Sequence, residues 1–497
     1  MLRRNAFNQL DLFSDNKRFT VNLDENNRWI KWSEILPWEK IEDHYALSMS
    51  EDQGRKSLPS RVAFGAIFAK EYLNVTDEEV VQQIGENPYL QYFLGQTDFI
   101  KEEMFHPTMM VHFRKRFTVA FIGKVNEYII TGKWPEDDDN GSNDGEEDNV
   151  SSENESSNEV KNKGKLILDA TVAPSDIRYP NDVSLLAECR ENLEKLIDAI
   201  WEYSARKGHK LPYNRQSAKQ KTNNFTKKKK KNARVIKAAL NVQLNYVELA
   251  IRQLIALVMT CGIEKFNDSE WDRIDLICKI CLQQRWMFDN ATNSCDGKIL
   301  NLRQPHVRAI LRNKAGAKYE YGQKLALSKI CGFEEDSGLF HFNGYVFIDE
   351  QSWNNFNEST TLIESVKNYR RRLGFYPEAV LVDQIYRTRA NINYCNSKNI
   401  RLSGPALGRK SEQQKLDERK QAYIDSCERN GIEGANGVLK RRYGLDLIMC
   451  ILPHNAEIEA SLQILAMNFQ RRFKLLFLKF IAIIKYLRIY HFYGLFQ

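Results

Sequence analysis

Between Glu136 and Val160 the chain carries 11 acids, no Lys or Arg, and mostly Ser, Asn and Gly in between. Such a stretch cannot bury enough apolar surface to offset the entropy of ordering it. We therefore expect residues 134–163 to be a disordered linker that divides the chain. With 497 residues there is material for two to four domains around it. Take those 11 acids away from a formal net charge of +7 and the remainder carries +18. A balance of that sign suits a polyanionic partner, because each phosphate neutralised releases counterions.

The cysteines number nine, an odd count, and are scattered. Met1-Leu2-Arg3-Arg4 leads into polar sequence and not into an apolar run, so we expect reduced cytosolic thiols. Cys278 and Cys281 form a C-x-x-C, but they fall on an amphipathic helix, Trp271 to Trp286, with no second pair. Core packing is the expected role, not zinc. The apolar stretch Phe473 to Phe496 is interrupted by Lys479, Lys485 and Arg488 before it reaches a spanning length. It reads as a packed helix or a partner-binding face, and no membrane partner is expected.

Residues 1–133 read as helical. Pro59 to Leu73 is a mostly apolar helix, Asn74-Val75-Thr76 breaks it, and Thr76 with Glu79 makes a capping box for the next helix, to about Gly85. That spacing fits a helix-turn-helix, which would make 1–133 a DNA-binding domain, and it fits a plain helical bundle equally well.

Beyond the linker, Lys165 to Ala170 reads as a buried strand whose end carries Asp169. Helices follow at about Asp182 to Ala205, Val235 to Thr260 and Ser269 to Met287. The first two are separated by a loop, Arg206 to Asn232, with 11 Lys or Arg and no acid. Uncompensated charge of that density points to phosphate contacts, at Lys227, Lys228 and Lys229 among others. Strand signals return at Lys318 to Ser328 and Gly344 to Asp349. A helix, Thr360 to Leu373, leads to a second apolar strand ending in an acid, Glu378 to Asp383. A long helix, about Ser411 to Arg442, carries Glu433. Strands alternating with helices indicate an α/β core with a mixed sheet.

One Asp after a strand is usually a turn residue. Two such strands side by side, with an acid on a later helix, are a different matter. Asp169, Asp383 and Glu433 would then cluster, and three carboxylates repel one another unless a cation neutralises them. Hard oxygen donors suit Mg²⁺ or Mn²⁺. Two such ions can activate a water or a 3′-hydroxyl and stabilise the leaving oxygen. Lys440, Arg441 and Arg442 extend positive charge beside Glu433, as a DNA backbone crossing the site would need.

Several longer strings are recognisable. Asp169-Ala-Thr-Val-Ala-Pro-Ser-Asp-Ile-Arg-Tyr-Pro-Asn-Asp resembles the first-acid region of the insertion-sequence-five group of bacterial DDE transposases. So do Gln304-Pro-His-Val-Arg with Lys314-Ala-Gly-Ala-Lys, and Val382-Asp383-Gln-Ile-Tyr-Arg-Thr-Arg-Ala-Asn. Arg401-Leu-Ser-Gly-Pro-Ala-Leu-Gly-Arg and Arg429-Asn-Gly-Ile-Glu-Gly-Ala-Asn-Gly-Val-Leu-Lys-Arg-Arg-Tyr-Gly-Leu complete the resemblance, and Asn87-Pro-Tyr-Leu-Gln-Tyr-Phe-Leu-Gly is similar to that group's N-terminal helices. Asn436 stands where the group more often has phenylalanine, and Gln384 where it more often has lysine. The resemblance implies a ribonuclease H-like catalytic domain, at 164–181 and 296–497, with a helical insertion at 182–295. It implies a triad of Asp169, Asp383 and Glu433 holding two Mg²⁺ or Mn²⁺ ions. It also implies cleavage at the terminal inverted repeats, strand transfer into target double-stranded DNA, a homo-oligomer in the active complex, and a place in the cytoplasm on the nucleoid. DNA contacts are expected from Lys440, Arg441, Arg442, Arg387, Arg389 and Lys227 to Lys229. Two other readings stay open: a transposase-derived DNA-binding protein that no longer cuts, and a nuclease of the same fold without strand transfer.

Overall fold

The computed structural model describes residues 23–49, 57–135, 161–203, 215–261, 266–314, 317–335, 337–405 and 411–494. The core of the acidic segment, 136–160, lies outside these residues, as do part of the basic loop, 204–214, and the turn at 406–410. The chain divides into two compact units: residues 1–174, 324–352 and 356–497 in the first, and 175–323 with 353–355 in the second.

The first unit begins with helices α1 (Arg28–Ile35), α2 (Trp38–Ala46), α3 (Ser60–Leu73), α4 (Asp77–Glu86), α5 (Pro88–Phe93), α6 (Met109–Arg114) and α7 (Val119–Thr131). Their core is aromatic. Trp32 is fully buried and meets Tyr72 edge-on at 4.6 Å. Trp32 also meets Phe469 at 5.2 Å, on the chain's last helix. Two features of these helices bear on whether the pair is a helix-turn-helix or part of a plain bundle. Thirteen of the 14 residues of α3 are buried. The first turn of α4 carries Asp77, Glu78 and Glu79, which repel phosphate while they stabilise the helix N-terminus. Thr76 does cap α4, its side chain accepting from Glu79 N.

In the second unit, α8 (Asp182–Tyr203), α9 (Arg215–Lys227), α10 (Ala233–Cys261) and α11 (Asp268–Asp289) pack around Leu193, Ile197, Leu244, Val247, Leu254, Ile277 and Ile280. Cys281 is buried in that core and Cys278 is part-buried on the same helix, as expected of packing residues. The basic stretch is not all loop. Helix α9 fills half of it, because Ala218 and Phe225, seven residues apart, give it one buried stripe. The stretch Ala233–Thr260 of α10 is long and apolar enough to cross a membrane, and its apolar face is used in this core.

The sheet is mixed. β1 (Lys165–Pro174) lies between β3 (Ala317–Cys331) and β5 (Ala379–Leu381), with β6 (Arg401–Leu402) beyond β5. β2 (Arg308–Lys314) and β4 (Val346–Ser352) both run antiparallel to β3. β1, β5 and β6 are parallel to one another. Helices α12 (Leu362–Leu373), α13 (Arg389–Ser397), α14 (Glu412–Tyr443) and α15 (Pro453–Gly494) complete the chain. β1 is longer than the six residues expected, because Val172 and Ala173 are fully buried and carry it on to Pro174. Asp169 therefore sits inside the strand and not at its end.

Candidate active site

Two strands and one helix position the acids. In the β1–β5 ladder Lys165 pairs with Ala379, Leu166 with Val380 and Ile167 with Leu381. Two residues further along each strand stand Asp169 and Asp383. The pleat repeats every two residues, so both carboxylates project on the face of Ile167 and Leu381, from strands about 4.8 Å apart. Asp383 is still extended (φ −72°, ψ 163°) and opens a short helical turn at Gln384–Tyr386 without capping it through its side chain. Its carboxylate is thus left for other work.

Helix α14 is fastened to the sheet at three points. Asp425 takes both terminal nitrogens of Arg401, at 2.6 and 2.8 Å. Burial works against the Asp425 charge, but the Arg401 bonds hold its carboxyl below the usual range. Glu428 pairs with Lys165 Nζ at 2.5 Å. Lys329 Nζ on β3 donates to the Gly431 carbonyl at 2.6 Å. A Cβ at Gly431 would lie 2.9 Å from that ammonium, so the glycine permits the contact. A capping box at Ser411 and Gln414 starts the helix, and Gly444 in the left-handed region (φ 82°) ends it.

The same helix touches both aspartates. Arg429 Nη1 is ion-paired with Asp383 Oδ1. Asn436 Nδ2 donates to Asp169 Oδ2 at 2.9 Å. Arg429 and Asn436 are seven residues apart, and Glu433 is four from one and three from the other. At about 100° per residue, all three fall within an arc of about 60°. Glu433 thus lies on the helix face that meets the two aspartates, and Lys440 follows on that face two turns later. Glu433 is exposed and has no hydrogen bond or ion pair among the described residues. No three His, Cys, Asp or Glu side chains among the described residues converge to metal-binding distance. Arg429 supplies the positive charge at Asp383 in this conformation.

Beneath the acids lies Tyr386, fully buried. Burial, and then the negative charges of Glu358 and Asp169, push its phenol far above the usual value, so it stays protonated.

The basic residues separate by role. Arg387 is structural: its guanidinium donates to the carbonyls of Leu402, Ser403 and Pro405. Gly404 (φ 102°) makes room, since a Cβ there would meet Arg387 Cδ at 2.9 Å. Arg389 is exposed at the start of α13. Arg441 and Arg442 are exposed in the last turn of α14, about 100° and 200° around from Lys440, where they complement the helix dipole. Lys227, Lys228 and Lys229 are exposed in the second unit. Sequence reasoning gave no role to Arg429 or Asn436. The signal was available in their spacing of four and three residues from Glu433.

Comparison with known proteins bears on this arrangement. Residues 380–470, which hold Asp383, Glu433 and all of α14, match the family described as Transposase DDE domain. Residues 17–116, the N-terminal helices, match Transposase domain (DUF772). Over 106 residues the chain is 28% identical to a Rhizobium meliloti protein named "Uncharacterized protein ORF8 in nfe locus", which covers 21% of this chain and 50% of that one. The chain thus spans about half the length of the curated relative it matches. No solved structure matches. The two domain matches support an insertion-sequence transposase, and a transposase acts on DNA.

Proposed function

We propose that the chain is a DDE transposase of the insertion-sequence-five group, with Asp169, Asp383 and Glu433 as its acids. In this reading the catalytic domain is ribonuclease H-like, formed by residues 164–181 and 296–497. Residues 182–295 are a helical insertion with a basic loop, 1–133 a helical N-terminal domain, and 134–163 a linker. The observation that carries the reading is the pairing of register and helix face: Asp169 and Asp383 on neighbouring parallel strands, and Glu433 between the two residues of α14 that touch them.

The donor set is three carboxylates, one of them without an internal partner, and it fits a hard divalent cation such as Mg²⁺ or Mn²⁺. Asp169, Asp383 and Glu433 would hold two such ions, which would activate a water or 3′-hydroxyl and stabilise the leaving oxygen. The chain's own contribution is positioning. Asn436 orients Asp169 by its hydrogen bond. Arg429 balances Asp383 by its ion pair, and a cation held at Asp383 would leave its guanidinium for a phosphate. Lys440 extends the positive charge along the same face. The substrates are the terminal inverted repeats and target duplex, handled by a homo-oligomer on the nucleoid.

The test uses a duplex ending in the element's own terminal repeat. Asp383→Asn abolishes cleavage in Mg²⁺ and leaves gel-shift affinity within a few-fold of the unaltered chain. Robust cleavage by that variant removes Asp383 from the chemistry.

A further inference from the structure

A second basic surface lies in the first unit, away from the acids. The last turns of α12, the segment that leads into β5 and the end of α13 enclose a depression of ≈ 540 Å³. Lys367, Arg370, Arg371, Tyr376, Tyr394 and Lys398 line it, and no carboxylate does. Lys163 stands beside it, its amide donating to the Tyr376 carbonyl at 3.0 Å and its ammonium 5.7 Å from the Phe375 ring.

Three explanations from folding alone can be weighed. The first is the helix dipole, which favours cations at the end of α12. It accounts for Arg370 to Arg372 but not for Lys398 or Lys163, which belong to other elements. The second is internal ion pairing. Arg371 is spoken for, since its two terminal nitrogens bind Glu127 at 2.7 Å each. Lys163, Lys367, Arg370 and Lys398 have no carboxylate partner among the described residues. The third is snorkelling over an apolar surface. Here the surface is aromatic and polar. The Arg370 guanidinium sits 4.8 Å from the Tyr376 ring and Nη1 donates to its hydroxyl at 2.9 Å. The Lys398 ammonium is 5.8 Å from the same ring. Burial, then the charge interaction and hydrogen bond with Tyr376, raises the Tyr394 phenol to about 12. Four cations thus stand near one another with no carboxylate partner among the described residues.

The position matters. Tyr376 precedes β5 and Asp383 follows it. Six residues separate them, three of them strand, a span of at most roughly 23 Å. The depression and the acids thus stand at opposite ends of β5 and are separate places on the first unit.

We propose that this depression binds backbone phosphates of duplex DNA, apart from the phosphate at the acids. The proposal rests on the reading above that the chain handles DNA, and adds to it a second contact that reads no base.

The test compares the full chain with the triple variant Lys367→Gln, Arg370→Gln, Lys398→Gln, using a labelled random duplex of about 30 base pairs. Each lost phosphate contact should lower the slope of log affinity against log salt by about 0.9. The expected result is a slope shallower by roughly 2 to 3 and an affinity at least about tenfold weaker in 0.1 M salt, with the thermal midpoint unchanged. Arg370→Lys alone keeps the slope, because the charge remains. An unchanged slope in a folded triple variant, while the unaltered chain binds and cuts DNA, overturns the inference and leaves the functional reading intact. If the unaltered chain binds no duplex at low salt, both fall together.

Discussion

Two groups of charge in the first unit are built on opposite terms. Under α3, Lys70 bridges Glu71 and Glu459 at 2.9 Å each, and all three are buried. Glu459 also accepts from Cys450 N at 3.0 Å, and Arg114 pairs with Asp77 nearby. Every charge there is met inside the fold. At the acids, Asp383 is more than half exposed, its one ion-pair partner is itself accessible, and Glu433 has none among the described residues. A charge completed internally serves stability. A charge left open on a face fixed by other contacts is available to something outside the chain.

The contrast can be broken by substitution. Asp169→Asn is predicted to lower Mg²⁺-dependent cleavage by roughly 10³ or more, with unfolding stability unchanged or raised because repulsion is relieved. Lys70→Met should do the reverse: it costs about 3–5 kcal/mol in a urea titration, since two buried carboxylates lose their cation, while cleavage per folded molecule holds. If Asp169→Asn unfolds the chain, or Lys70→Met silences cleavage in folded protein, the division of roles is wrong.

Arg429 sharpens the comparison. If its guanidinium occupies the place of a cation at Asp383, Arg429→Gln should tighten Mn²⁺ binding several-fold, read by the electron spin resonance of free Mn²⁺. It should also slow cleavage, because the phosphate contact goes with it. Unchanged Mn²⁺ affinity would make Arg429 a fold contact like Arg387.

The smallest effect is one of pH. Burial, opposed by Lys70, raises Glu71 from the usual carboxylate range to about 7. A folded value above the unfolded one favours the protonated form. The contribution of Glu71 is full below the ordinary carboxylate range and is lost as pH rises through about 7. Glu71→Gln should flatten that part of the stability profile. An unaltered slope between pH 5 and pH 7.5, measured by urea titration, would show that Glu71 does not titrate there.

Much of the framework was legible because local signals agreed. Helix α14 was expected at Ser411 to Arg442 and runs Glu412–Tyr443, since Ser411, Gln414 and Gly444 mark its ends. Strand β5 was visible as an apolar run before Asp383. The length of β1 was misjudged: it was expected to end at Ala170, and buried Val172 and Ala173 carry it on to Pro174. Helix α9 was missed because only Ala218 and Phe225 mark its buried face amid lysines. The packing of α1 and α3 against α15 joins residues 389 or more positions apart, and no local pattern encodes that. The contacts of Arg429 and Asn436 with the aspartates are of the same kind. They become readable only when the register of β1 on β5 and the tilt of α14 are known.

The central claim is that α14 offers Glu433, and not its neighbour Glu428, to the aspartates. The two lie about 140° apart on the helix, and Glu428 is held by Lys165 at the start of β1. The direct measurement is Mg²⁺-dependent cleavage of a terminal-repeat duplex by Glu433→Gln and by Glu428→Gln, each checked for folding. The account predicts no cleavage from the first and at least about a tenth of the normal rate from the second, a loss under about 1.4 kcal/mol in the barrier. Cleavage by Glu433→Gln with none from a folded Glu428→Gln would contradict both the triad and the orientation of the helix.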